Sequence, residues 1–205
     1  FVDHITAAHG VASADMHIVA QSVGAVLVAT WAHDYAPPVR GISDFLELNV
    51  RTYVHDEHGR PGVWFYSLDC NQRLAVWTAR TFFHLPYQNA QMSAHVRGGC
   101  IDYRCQRTGA LAASNFRYRI AAESQLAEPG SLAFFLAERY LLFCQTPRGI
   151  RCGRVHHTPY PLAEASLETW DVNPLLQAGF TDPRRPPDHI IGSSGVDVAV
   201  YPLTA

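Results

Sequence analysis

Three polar side chains fall at alternate positions of one short stretch, F-L-E-L-N-V-R-T-Y-V at residues 45–54: Glu47, Asn49 and Arg51. On a strand, residues two apart share a face. A carboxylate, an amide and a guanidinium therefore line up with Tyr53, opposite an apolar face of Leu46, Leu48, Val50, Thr52 and Val54. Such a set can move a proton and hold an anion. Desolvation raises a carboxyl pKa, and a neighbouring arginine holds it down. On pattern alone the plainer account is the wet face of a half-buried strand. Tyr87, directly after Pro86, is either an amphipathic side chain with its hydroxyl satisfied or a phenol serving as donor or general acid. Arg80 lies seven residues earlier, two helical turns, and so on nearly the same face. It serves either as a salt-bridge partner of Asp69 or Glu47, or as a planar fork for a substrate carboxylate.

Other chemistry-bearing residues fit structural roles better. His157 precedes a P-Y-P turn; structural hydrogen bonding is the simpler account, with substrate binding as the functional one. His55 and His58 flank a hairpin tip, H-D-E-H, where a metal site would want a third ligand and a supporting shell. Glu138 and Arg139 sit late in an apolar helical run and read as a buried structural ion pair with partners elsewhere. No Ser-His-Asp set, phosphate loop or dinucleotide fingerprint is present, and the sequence calls for neither metal nor cofactor.

All sixteen basic residues are arginine, so the sequence contains no lysine. An imine to a carbonyl substrate needs an amine, and only the chain's own N-terminus could supply one. The 205 residues, 48% apolar and 17% charged, suit one compact domain over residues 1–205. A net charge of −2 gives no broad positive field, which argues against nucleic acid or an anionic membrane as partner. The five cysteines (70, 100, 105, 144 and 152) are odd in number and lack C-x-x-C spacing. They read as reduced thiols in a cytoplasmic protein. The apolar stretch Val23–Ala32 is too short to span a bilayer and has no basic flank, so it reads as a core strand. The sequence opens on Phe1 rather than Met, and further N-terminal residues are expected.

The elements that must position these side chains are mostly strands. A strand is expected over 23–31, a Pro-rich loop over 35–41, and a hairpin over 45–69 around the D-E-H-G-R-P-G turn. Helical spacing of Leu74, Trp77, Phe82 and Leu85 predicts a helix over 74–85, closed by Pro86. Residues 95–106 and 115–121 form a further antiparallel pair. Ser131 caps a helix running to Cys144, 151–157 is a strand, and a Pro-rich connection follows. A loop covers 182–187 and a last strand 196–201. The chain is a mixed α+β domain, mainly antiparallel β.

Several segments in order, E-L-N-V-R-T-Y-V (47–54), G-V-W-F-Y-S-L-D (62–69), A-R-T-F-F-H-L-P-Y (79–87), E-R-Y (138–140), H-T-P-Y-P-L (157–162) and S-S-G-V-D-V (193–198), resemble the YqjF-like family of unknown function. That family is grouped with the acetoacetate decarboxylase-like proteins; residues 1–40 match poorly. In the decarboxylases a strand glutamate, a Leu-Asp at the hairpin's return, and an arginine and proline before the reactive lysine resemble Glu47, Leu68-Asp69, Arg80 and Pro86. The reactive lysine falls on Tyr87, and the lysine that tunes it on Gln88. The resemblance implies a cone-like β-barrel flanked by a few helices, with Glu47 lining its cavity, and it reverses the wet-face account. It carries over a scaffold without the imine chemistry. The function it suggests is non-covalent acid/base handling of a small carbonyl or carboxylate compound, in the manner of a lyase or isomerase. Glu47 and Tyr87 would be catalytic, with Asn49, Arg51, Arg80 and His157 binding. A non-catalytic ligand-binding domain, or a structural homo-oligomer with a filled cavity, is the alternative.

Overall fold

The structure, a computed structural model, describes His17–Ile18, residues 45–196 and residues 198–204. The strand expected at 23–31 and the loop at 35–41 lie outside the described residues. A short strand β1 (His17–Ile18) pairs antiparallel with the end of β2 (Glu47–His55), which carries the alternating stretch. β2 returns as β3 (Pro61–Cys70) through a tight turn. Asp56 Oδ1 closes that turn by accepting from the His58 and Arg60 amides at 3.0 and 2.8 Å, and Gly59 takes the φ of +73° it requires.

The hairpin contains one irregularity with long-range consequences. Its register runs Glu47↔Cys70 to Val50↔Ser67, then resumes at Arg51↔Phe65, so that the ladder skips position 66. A bulge bends its strand and increases the local twist. Beyond it the other edge of β3 is shared by two strands. Its C-terminal end pairs parallel with β4 (Tyr87–Arg97), from Leu68↔Tyr87 to Cys70↔Asn89. Its N-terminal part pairs parallel with β8 (Leu141–Thr146), at Val63↔Leu142 and Trp64↔Phe143. The sheet therefore forks at β3. One branch runs through β4, β5 (Cys100–Arg107), β6 (Ser114–Ile120), β10 (Pro161–Thr169) and β11 (Ile191–Ser193). The other runs through β8, β9 (Gly149–His157) and β12 (Val198–Val200), and β7 (Gln125–Leu126) pairs with β10. Among the described strands no pairing joins β11 to β12, so these strands form an open path rather than a closed barrel.

Both sides of the β2–β3 hairpin are covered. Val50, Val54, Trp64 and Tyr66 pack with Phe143, Cys152 and Leu175, whereas Leu46 and Leu48 pack with Ala90, Tyr103, Cys105, Phe116 and Tyr118. On the opposite side Tyr53, Val63 and Leu68 gather Leu85, Leu142 and Cys144. This is why Glu47 and Asn49 are buried. A wet face for β2 is ruled out, because alternation reports which residues share a face and not what covers it.

Several local expectations change. The helix α1 (Arg73–Phe82) starts where the Gln72 side chain accepts from the Leu74 amide at 3.0 Å. It stops before Leu85, because the chain turns at His84 with φ of 51°. Residues 87–97 are strand β4, joined to β5 by Gly98–Gly99 and paired from Ala90↔Arg107 to Arg97↔Cys100. Ser131 caps only α2 (Leu132–Ala137), accepting from the Phe134 amide at 3.1 Å. The apolar residues beyond it become β8, since a short apolar run suits a buried strand as well as a helix. The connection after 160 is strand β10, with Pro161 at its first position, where a missing N–H is tolerated. The loop at 182–187 carries no helix or strand. The last strand is only β12, and residue 197 lies outside the described residues. All five cysteines are buried free thiols.

Candidate functional site

β2, β3 and β4 lie side by side, and their registers put Glu47 and Tyr87 on one face. Glu47 pairs with Cys70 and Tyr87 with Leu68, two residues apart on the intervening strand. The Tyr87 hydroxyl reaches across β3 and donates to Glu47 Oε2. The other carboxylate oxygen, Oε1, accepts from Asn49 Nδ2 at 3.0 Å. The backbone carbonyl of Glu47 accepts from the Tyr103 hydroxyl at 2.8 Å, fixing the strand that carries the acid.

Burial pushes the Glu47 carboxyl above its ordinary range. The hydrogen bonds from Tyr87 and Asn49 and the charge of Arg51 pull the other way without cancelling it, and Asp69 adds to the rise. A buried carboxyl with a raised pKa and a phenol on its oxygen is equipped to take up and return a proton. Asp69, on the other side of the sheet, is tied to Arg107 at 2.6 and 3.2 Å. Burial still raises its carboxyl despite that guanidinium. It is a structural pair.

Arg51, two positions beyond Asn49, sits on the same face. Its Nη2 donates to the Leu136 carbonyl at 3.2 Å and reaches the Tyr53 hydroxyl at 3.5 Å. The Tyr53 hydroxyl in turn donates to the same carbonyl at 2.9 Å. Arg139, just past the end of α2, lies over Phe135 at 4.3 Å and Tyr53 at 5.5 Å. Its Nη1 donates to the Glu138 carbonyl at 2.8 Å. Glu138 is buried and does not pair with Arg139. Its Oε1 accepts from the Tyr160 amide at 2.9 Å and its Oε2 from the Tyr140 hydroxyl. Tyr160 stands among these groups: burial raises its phenol, Arg51 lowers it, and Glu138 and Glu47 raise it.

Two expected binding residues make no contact with the Glu47–Tyr87 pair among the interactions seen. Arg80 is exposed in the last turn of α1 and makes no ion pair among the described residues. The two-turn spacing to Tyr87 fails because the helix ends at Phe82 and Tyr87 belongs to β4. Asp69, one partner expected for Arg80, is bound by Arg107 instead. His157 is buried, stacked at 4.5 Å on Tyr140 and tilted at 4.6 Å on Tyr160. Its ring nitrogens face the carbonyls of Thr158 at 2.8 Å and Arg139 at 3.4 Å, and an imidazole with one N–H donates to one of them at a time. Reasoning from sequence missed Tyr160 and the position of Arg139. The usable signals were a tyrosine between two prolines and an arginine in an apolar run. Among the described residues no group of three His, Cys, Asp or Glu stands close enough to hold a metal. In the same residues no helix is long and apolar enough to cross a membrane.

The model of DUF2071, described as an uncharacterized conserved protein, matches residues 22–197. The uncharacterized protein YqjF of Bacillus subtilis is 41% identical over 155 residues, which cover 75% of this chain and 63% of YqjF. The chain thus spans somewhat less than two thirds of that relative. Acetoacetate decarboxylase from Legionella pneumophila is similar in structure with a TM-score of 0.45 and 12% identity, over 79% of this chain and 64% of that one. A second acetoacetate decarboxylase structure gives 0.48 and 10%, over 79% and 70%.

Proposed function

The chain belongs to the DUF2071 family, and from that premise we propose that Glu47 and Tyr87 form an acid–base pair acting on a small carbonyl or carboxylate compound without an imine. The observation that carries the reading is the buried Glu47 carboxyl, held above its ordinary range by desolvation with the Tyr87 hydroxyl on Oε2 and the Asn49 amide on Oε1. On this reading Glu47 takes a proton from the carbon beside a carbonyl; its new O–H then donates back to the Tyr87 oxygen, which frees the single phenolic proton to hydrogen-bond the oxygen that becomes negative. Asn49 keeps the carboxylate in place, and Arg51 supplies positive charge on the same face. The sequence offers no side-chain amine for a covalent route. The reading includes one domain and a cone-like wrapping of the forked sheet around this face. The buried free thiols fit a reducing, cytoplasmic setting.

One observation favours a second reading, a non-catalytic binding or structural domain that assembles with itself: both Glu47 oxygens already have donors, as in a satisfied structural network. Proton exchange separates the two. Pyruvate and 2-oxobutyrate are incubated with the protein in D2O, and deuterium uptake beside the carbonyl is followed by NMR. Exchange above background that falls about 10²–10⁴-fold in Glu47→Gln supports the acid–base pair. Exchange that is absent or unaffected by that substitution leaves the non-catalytic reading.

A further inference from the structure

Arg51 and Arg139 differ from the other buried or half-buried charges of the molecule. Arg107 grips Asp69 with two nitrogens, and Arg117 bridges Asp102 and Glu168 at 2.9 and 2.7 Å. Arg51 and Arg139 come from different elements, one from β2 and one from just past the end of α2. Both place their guanidinium within 6 Å of the centre of the Tyr53 ring, at 5.6 and 5.5 Å. Neither forms an ion pair among the described residues. The carboxylates nearby are committed, Glu47 to Tyr87 and Asn49, and Glu138 to Tyr140 and Tyr160. The Nε atoms of both arginines are buried without a hydrogen-bond partner.

Half-buried guanidinium groups with idle donors are costly unless an acceptor completes them. Arginine's planar fork suits a carboxylate, to which it can donate twice. The acceptors shown for the two guanidinium groups are neutral, the Leu136 carbonyl and the distant Tyr53 hydroxyl for Arg51 and the Glu138 carbonyl for Arg139. Burial, and then the like charge on Arg51, push the Arg139 guanidinium below its ordinary value, although Tyr53 and Glu138 oppose this. An anion between the two arginines would reverse that strain.

We propose that Arg51 and Arg139, arranged around Tyr53, form a carboxylate-binding site on the same face as the Glu47–Tyr87 pair, so that the ligand carries a carboxylate beside the group on which that pair acts. The inference rests on the acid–base reading for its second clause only; the anion site stands on the arginines. Tyr160, whose phenol feels Arg51, Glu138 and Glu47 together, marks where the two halves meet. His157 supports the site indirectly, since its ring faces the Arg139 carbonyl.

Malonate serves as the probe, with malonamide as its uncharged counterpart, at low ionic strength because salt screens such attraction. In the wild-type protein, titration followed through arginine Nε–H resonances should move the signals of Arg51 and Arg139 with malonate and not with malonamide. Conversion to lysine assigns each signal. Calorimetry should give malonate affinity at least tenfold weaker in Arg139→Gln and Arg51→Gln, and equal or tighter in Glu47→Gln, which removes a competing negative charge. Unmoved Arg51 and Arg139 signals in the wild type overturn the inference even where a variant fails to fold. Equal malonate affinity in Arg139→Gln also overturns it, because the anion then sits elsewhere. Neither result touches the acid–base reading, which depends on the exchange experiment. Malonate binding at both arginines together with Glu47-independent exchange keeps the site and removes the catalytic half.

Discussion

Glu47 and Tyr87, forty residues apart in sequence, share one hydrogen bond in which the phenol donates to carboxylate oxygen Oε2. The bond exists because β3 lies between their strands with Cys70 opposite Glu47 and Leu68 opposite Tyr87. The contact therefore depends on the parallel pairing of β3 with β4, which brings the segment after α1 back beside the hairpin. An acid fixed this way has its geometry set before any ligand arrives, and preorganised groups need no rearrangement at the moment of reaction.

Tyr87→Phe removes that donor and little volume. It leaves a buried acceptor oxygen with one partner fewer, so stability should fall by about 1–3 kcal/mol while the fold is retained. The Glu47 carboxyl should also rise further, since the Tyr87 bond is the largest influence holding it down. A carbon-13 NMR titration of the glutamate carboxyls checks the direction. A Glu47 midpoint that falls in Tyr87→Phe would contradict the geometry.

The Asp69–Arg107 pair should behave as structure. Asp69 is 2% exposed at its side chain and Arg107 16%, so Arg107→Met strands a buried acid. Breaking one side of a buried pair costs about 3–5 kcal/mol, whereas replacing both partners with apolar residues of similar size is often near neutral. Urea unfolding of Arg107→Met and of the double variant Asp69→Leu/Arg107→Met measures both. Equal destabilisation in the two would mean that the stranded charge is not the cause.

The fork of the sheet has its own test at Gly62, which lies beside the start of the β3–β8 pairing. A Cβ there would meet Phe143 Cε2 at 2.6 Å and the Leu141 carbonyl at 2.7 Å, and backbone cannot yield cheaply. Gly62→Ala should lose roughly 1–3 kcal/mol, the usual range for overpacking. Thermal unfolding that matches the wild type would show that β3 and β8 do not approach as described.

The legible parts of this fold were those encoded by neighbours in sequence. The hairpin of β2 and β3 shows in strict alternation and a turn with Gly59, and Ser131 announces the start of α2. What covered the hairpin was not legible, because the packing of Tyr53 with Leu85 and of Leu48 with Tyr103 joins distant segments. β4 reads Y-Q-N-A-Q-M-S-A-H-V-R, with few β-branched residues; its partners hold it extended, not its propensity. The residues 141–146 fit a helix or a strand equally, and the choice was made by β3 and β9 on either side. The site divided in the same way. Glu47, Asn49 and Arg51 stand out on one strand, and Tyr87 follows a proline. Arg80 misled because a helical period was carried past the turn at His84, and Arg139 and Tyr160 converge only through tertiary folding.

The pH dependence of stability tests the premise shared by every functional statement, that Glu47 is desolvated. Its folded carboxyl lies above the ordinary value of 4.5, and the unfolded carboxyl titrates near that value. Below it both states carry the proton and burial of Glu47 costs nothing. As pH rises through the window between the two values, the unfolded chain releases its proton first and the native state holds more protons. Stability contributed by Glu47 then falls with pH until the folded value is passed, and stays level above it. Asp69 acts in the same sense, while the half-buried Asp56 and the exposed Glu168, whose carboxyls are lowered, act in the opposite sense at lower pH. The comparison must therefore be a difference between two proteins. Glu47→Gln keeps the shape and cannot ionise, so its stability relative to wild type should climb as pH rises from about 4.5 and reach a plateau. Urea unfolding of both proteins at half-unit steps from pH 4 to 8 records the curve. A flat difference across that range would mean Glu47 ionises as it does in water, and the acid–base pair would lose its physical basis.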